Sequence, residues 1–88
     1  MATLFVRCDV ETGFFGTEYL VFLPGSSFFV DRKDVRVVEV PSENRSVKGE
    51  VLAYLIEDRD QETLIEMTGT PVVGGLRVLV PKTLTVAD

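Results

Sequence analysis

The sequence predicts an all-β fold: a small, mostly antiparallel barrel of six to seven short strands, with room for one short helix or 3-10 turn. Three observations carry this expectation. Apolar residues recur with period two rather than 3.6. Glycine, proline and small polar residues punctuate the chain at short intervals. Between them lie runs rich in β-branched and aromatic residues. Closure into a barrel is expected because an open sheet would leave two unpaired edges.

In residues 3–11, Leu4, Val6, Cys8 and Val10 share one face, and Thr3, Arg7, Asp9 and Glu11 share the other, with Phe5 as the exception. This reads as a strand with one solvated side. Thr12-Gly13 begins a turn that continues through Phe14, Phe15 and Gly16. Residues 17–23 are apolar on both faces from Tyr19 onward, including Val21, so they read as a strand covered on both sides. Pro24-Gly25 is a turn, and Ser26–Asp31 an extended arm holding Phe28 and Phe29. Arg32-Lys33-Asp34 breaks the pattern before a β-branched strand at Val35–Val40, closed by Pro41.

Ser42–Lys48 is the most polar stretch and reads as a loop. Val47–Asp58 is ambiguous. Val47, Val51, Leu52, Leu55 and Ile56 fit a helical face, but Gly49 weakens it. A hairpin with a polar tip near Glu57–Gln61, returning through Thr63–Met67, is the preferred reading. Thr68–Gly75 has no periodicity and reads as a loop. Leu76, Val78 and Val80 mark a strand, Pro81-Lys82 an interruption, and Leu84 and Val86 a final short strand. No internal repeat is visible along the chain.

The segment from Gly75 to Val86, a strand running into a proline-marked turn and a last short strand, resembles the end of SH3-like domains. The resemblance extends to residues 24–86, with the hairpin at 57–61 standing where that fold has its distal hairpin. It implies a small barrel. Peptide-binding SH3 domains hold proline-rich ligands with a tryptophan and clustered tyrosines. This chain has no tryptophan, and Tyr19 and Tyr54 lie inside apolar strands, so no binding residue is carried over.

At 88 residues the chain is expected to form one domain, residues 1–88. A chain this short buries only roughly 60% of the surface it exposes when unfolded. Yet 45% of its residues are hydrophobic, which points to an oligomer or partner interface for the excess. Fourteen acidic against nine basic residues give a net charge of −5, which opposes binding to nucleic acid or to anionic membranes. No apolar stretch has the length of a membrane span, and no signal-like segment opens the sequence, so a cytoplasmic protein is expected.

Catalytic chemistry finds little footing. The chain has no histidine, the commonest general base and imidazole ligand. Cys8, the sole cysteine, reads as an inert buried thiol. Ser26 and Ser27 lack a base. Glu57, Asp58, Asp60 and Glu62 lack the central glycine of a calcium loop and read as a charged hairpin tip. The glycine-rich stretch at 69–75 lacks the order of a phosphate-binding loop. No enzymatic role, cofactor or metal is expected.

The aromatic pairs are what folding explains least. Neighbours in an extended segment point to opposite faces, so one member of each pair is left over from a given core. Phe14, Phe15, Tyr19, Val21, Phe28 and Phe29 are therefore the candidate interface residues. The expected function is a non-enzymatic protein–protein interaction module, self-associating or bound to a neutral or basic partner. The alternative is a small barrel binding single-stranded nucleic acid through Arg32, Lys33, Arg36, Arg45 and Lys48 beside Phe28 and Phe29. A carboxylate- or metal-dependent enzyme stands third.

Overall fold

Alternation of side chains sets the strands. Leu4, Val6, Cys8 and Val10 turn inward while Arg7 and Glu11 face solvent, and Tyr19, Val21 and Leu23 repeat the pattern. A computed structural model describes residues 2–88. The elements run in order as β1 (Thr3–Thr12), β2 (Glu18–Leu23), β3 (Ser26–Asp31), a 3-10 turn at Arg32–Asp34, and β4 (Val35–Val37). They continue as β5 (Val47–Asp58), β6 (Glu62–Met67), β7 (Thr70–Val73), β8 (Arg77–Pro81), a second 3-10 turn at Lys82–Leu84, and β9 (Thr85–Ala87). All pairings are antiparallel, in the order β7-β3-β2-β1-β5-β6-β8, with β4 added to β5 and β9 to β1. The sheet curls into a half-barrel around Val6, Val10, Val21, Phe28, Val30, Val51, Ile65 and Val80.

The all-β expectation holds, and residues 47–58 are one strand, not a helix. The main path of the sheet holds seven strands, as expected, with β4 and β9 added to it. Three details differ. The stretch read as a loop at 68–75 contains β7. The strand expected over Val35–Val40 stops at Val37, leaving Val38 and Val40 exposed. The sheet also stays open between β7 and β8, where closure was expected.

The structure reveals a repeat that the sequence hides. β1, β2, β3, the first 3-10 turn and β4 match β5, β6, β8, the second 3-10 turn and β9, element for element. Val6 faces Val51 where β1 and β5 pair. Val35 of β4 then pairs with Val51, and Thr85 of β9 with Val6. The Arg32 N–H donates to the Thr17 carbonyl at 3.0 Å, and the Lys82 N–H to the Gln61 carbonyl at 3.0 Å. Asp31 and Pro81, which precede the two turns, share φ of −55° with ψ of 136° and 135°. The buried sets correspond too: Tyr19, Val21 and Leu23 with Thr63, Ile65 and Met67, and Phe28 and Val30 with Val78 and Val80. A local two-fold relation thus passes between Val6 and Val51.

The halves differ at one connection. Pro24-Gly25 joins β2 to β3 in a tight turn, with Gly25 at φ 74°. The corresponding link between β6 and β8 is longer, and it sends β7 across to pair with β3. Gly69 permits this crossing, because a Cβ there would lie 2.2 Å from the Phe29 carbonyl oxygen.

Two outcomes follow from this packing. Phe28→Ala should cost about 3–5 kcal/mol by denaturant unfolding, since Phe28 is fully buried. Gly69→Ala should detach β7 and release the Phe29 amide to rapid hydrogen exchange, while amides of β1 and β5 stay protected; an unchanged Phe29 amide would contradict that account.

Candidate interaction surface

The outward face of β1, β2 and β3 is built by cross-strand rows. Directly opposed residues share a face, so Glu11, Leu20 and Phe29 form one row and Glu18 and Asp31 the next. The connection from Thr12 to Glu18 brings Phe14 to this side, and the Glu18 N–H closes a turn on the Phe15 carbonyl at 3.2 Å. Phe14 packs on Phe29 with ring centroids 5.3 Å apart and planes tilted by 38°. Even so, Phe14 is 84% exposed and Phe15 71%.

Of the six candidate residues, the structure therefore brings Phe14 and Phe29 together on the outward side, and Phe15 follows Phe14 in the same connection with its side chain exposed. Tyr19, Val21 and Phe28 fill the core. Their inward direction follows from the pairing: β3 sends Phe28 in and Phe29 out, as adjacent strand residues must. The face of the Tyr19 ring is covered by Arg32, whose guanidinium sits 4.5 Å from the ring centroid.

The basic residues between 32 and 48 are largely neutralised. Arg36 pairs with Glu50 at 2.5 Å and stacks 3.5 Å from the centre of the Phe5 ring. Lys48 pairs with Asp9 at 2.6 Å, a bond that holds its ammonium proton above the ordinary lysine range, and Arg45 pairs with Glu39. At the hairpin tip Glu57 pairs with Arg59 and Asp58 with Lys82, so these acids are turned toward cations.

Sequence reasoning missed a groove. β2 pairs with β1 at residues 9–12 and β9 at residues 4–6, which leaves the β1 edge at Arg7 and Cys8 without a partner strand. A groove of about 800 Å³ opens there, with Phe22, Leu23, Pro24 and Leu84 as apolar walls and Arg7, Arg36 and Lys48 at its rim. The Arg7 guanidinium reaches the Thr83 carbonyl across it at 3.4 Å. Only the strand ends define this gap, and strand ends are the least legible part of a sequence. The equivalent gap on β5 is narrower, and the Thr68 hydroxyl bonds the Leu52 carbonyl there at 3.5 Å.

Cys8 borders the groove with its thiol held protonated. Burial, followed by the nearby Asp9 and Glu50 carboxylates, pushes its thiol up to about 12 from 9.0. Among the described residues, no helix is long and apolar enough to cross a membrane. No protein-family model, curated protein or solved structure matches the chain.

The Cys8 environment has two measurable consequences. A thiol reagent at pH 8 should label the folded chain about a thousandfold more slowly than the unfolded chain, in line with the rise from 9.0 to about 12. Between these two values the unfolded thiol gives up its proton while the folded one keeps it. Stability from this group is thus complete below pH 9 and lost as pH climbs toward 12, by about 1.4 kcal/mol per pH unit. Cys8→Ala should remove that component of the alkaline slope, measured as the difference between the two proteins.

Proposed function

We propose that this chain is a non-enzymatic protein-interaction module whose docking surface is the aromatic face formed by Phe14, Phe15 and Phe29. The observation that carries the reading is the exposure of Phe14 and Phe15 beside strands β1, β2 and β3, whose inward residues are buried. Large rings held on a short closed turn lose little entropy on binding, which suits them as anchors. Glu11, Glu18 and Asp31 border the rings and make no salt bridge among the described residues. This rim favours a basic partner segment with apolar side chains at its centre.

An SH3-like kinship for the C-terminal strand, turn and strand is part of the proposal. It is supported by the 3-10 turn that follows Pro81 and by the strand after it. The ligand surface proposed here differs from the proline-reading groove of that class, because aromatic residues supply it from the β1–β2 connection.

The test is a double substitution, Phe14→Ser with Phe15→Ser. Both side chains are exposed, so unfolding stability should stay within about 0.5 kcal/mol of the parent. A basic protein retained by the parent chain should bind the variant at least about tenfold more weakly in titration calorimetry. Equal affinity for both proteins would refute the assignment.

A further inference from the structure

The two halves of the sheet supply their own comparison at the outer edges. β3 and β8 are equivalent strands, and each pairs on one side with its hairpin partner, β2 or β6. In an antiparallel ladder, alternate residues direct their N–H and C=O to one side and the remainder to the other. The Met67 N–H bonds the Leu76 carbonyl at 2.9 Å, and the Lys82 N–H bonds the Gln61 carbonyl at 3.0 Å. Residues 76, 78, 80 and 82 therefore face β6, and Arg77, Leu79 and Pro81 face away from it.

On β3 the corresponding outward residues, Ser27 and Phe29, meet β7 through Val73 and Thr70. On β8 no strand among the described residues meets Arg77 and Leu79. The difference lies in the connections: the segment that leaves β6 carries β7, whereas Pro24-Gly25 is too short to send a strand to β8. The same fold thus shows what belongs on this edge, a short extended segment, and leaves that position empty.

We propose that a second copy of this chain occupies it, β8 lying antiparallel against β8 so that two half-barrels share one continuous sheet. Three features select this occupant. The edge is only lightly protected against pairing: β8 has no lysine and no bulge, and its proline stands only at the end. The Arg77 guanidinium folds back onto Glu66 of β6 at 3.2 Å, so it does not guard the edge. And the edge is complementary to itself. With Arg77 opposite Leu79 of the second copy, every N–H on both edges finds a carbonyl, like charges are kept apart, and Pro81 falls outside the pairing.

Isologous pairing closes after two copies, which an association of β8 with the other free edge, β7, would not. β7 is further handicapped by Pro71, which offers no N–H. Pairing at β8 would also cover part of Leu76 and Leu79, which are 44% and 39% exposed in the single chain.

This interface is separate from the aromatic face and does not rest on it. The experiment is sedimentation of the purified chain from one to a hundred micromolar (about the range in which weak dimers form), with hydrogen exchange read at Arg77 and Leu79. The chain should dimerise, and both amides should gain protection as concentration rises. Leu79→Pro removes an N–H that no strand in the chain uses, and Leu79→Lys places a charge on the edge; each should weaken the dimer about tenfold or more. The Phe14→Ser/Phe15→Ser variant should dimerise like the parent. A monomeric parent chain, a dimer indifferent to Leu79→Lys, or a dimer dissolved by the phenylalanine substitutions would each overturn the proposal.

Discussion

The antiparallel pairing of β1 with β5 is the constraint on which the remaining structure depends, because every other strand is attached to one of the two either directly or, for β3, β7 and β8, through β2 or β6. Its register places Val6 against Val51, both fully buried. Each strand is long enough to serve two neighbours on its outer edge, β2 and β9 for β1, and β4 and β6 for β5. A slip of one residue would turn Leu4, Val6, Cys8 and Val10 outward together. At roughly 1.5–3 kcal/mol for each large buried side chain, such a slip costs about as much as the whole stability of a small domain. The pattern of alternate apolar residues is therefore sufficient to fix the register without any special side-chain lock.

Two-fold repetition explains the arrangement but also its one imbalance. Each half offers an outer strand with a free edge, and the chain covers only one of them. β7 reaches β3 because Gly69 lets the backbone approach Phe29, and because the β6–β8 link is long. The opposite link is a tight turn and leaves β8 bare. A chain of this size has little spare length, so covering both edges internally would require an insertion of the size of residues 68–76 in the first half. Pairing two chains at β8 removes the same edge at no cost in length.

The fold was legible where alternation is strict. β1 and β8 follow directly from it, β2 and β6 from apolar runs set between turn residues, and the polar tip at 57–61 from its charges. β7 was not legible: Thr-Pro-Val-Val is exposed along its whole length, so burial leaves no alternation to detect. The repeat was hidden because the halves share spacing rather than identity. Glu18-Tyr19-Leu20-Val21 and Glu62-Thr63-Leu64-Ile65 are its clearest trace. The register shift near Ile56 and the long β6–β8 link then offset the halves from each other along the chain. Within the candidate surface, adjacent phenylalanines announced that one ring of each pair would be left over. Which one points outward at 28–29 depends on the register with β2, and that is a long-range quantity. For Phe14 and Phe15 no strand parity applies, since both lie in a connection, and both remain outside.

The distribution of satisfied and unsatisfied groups makes the outer surfaces, rather than the interior, the place to look for activity. Among the described residues no buried side-chain nitrogen or oxygen lacks a hydrogen-bond partner. The one thiol is held neutral, and the carboxylates and cations near the groove are tied to each other by Asp9–Lys48 and Glu50–Arg36. Groups matched in this way have their chemistry already spent on the fold, because a reactive centre needs a charge or donor held away from its natural partner. What stays unmatched is of another kind: aromatic rings bordered by unpaired acids on one side of the sheet, and backbone donors and acceptors along β8. Rings and edge amides gain by contact with another chain. In the association proposed above, the acidic border would set specificity and the free strand the geometry.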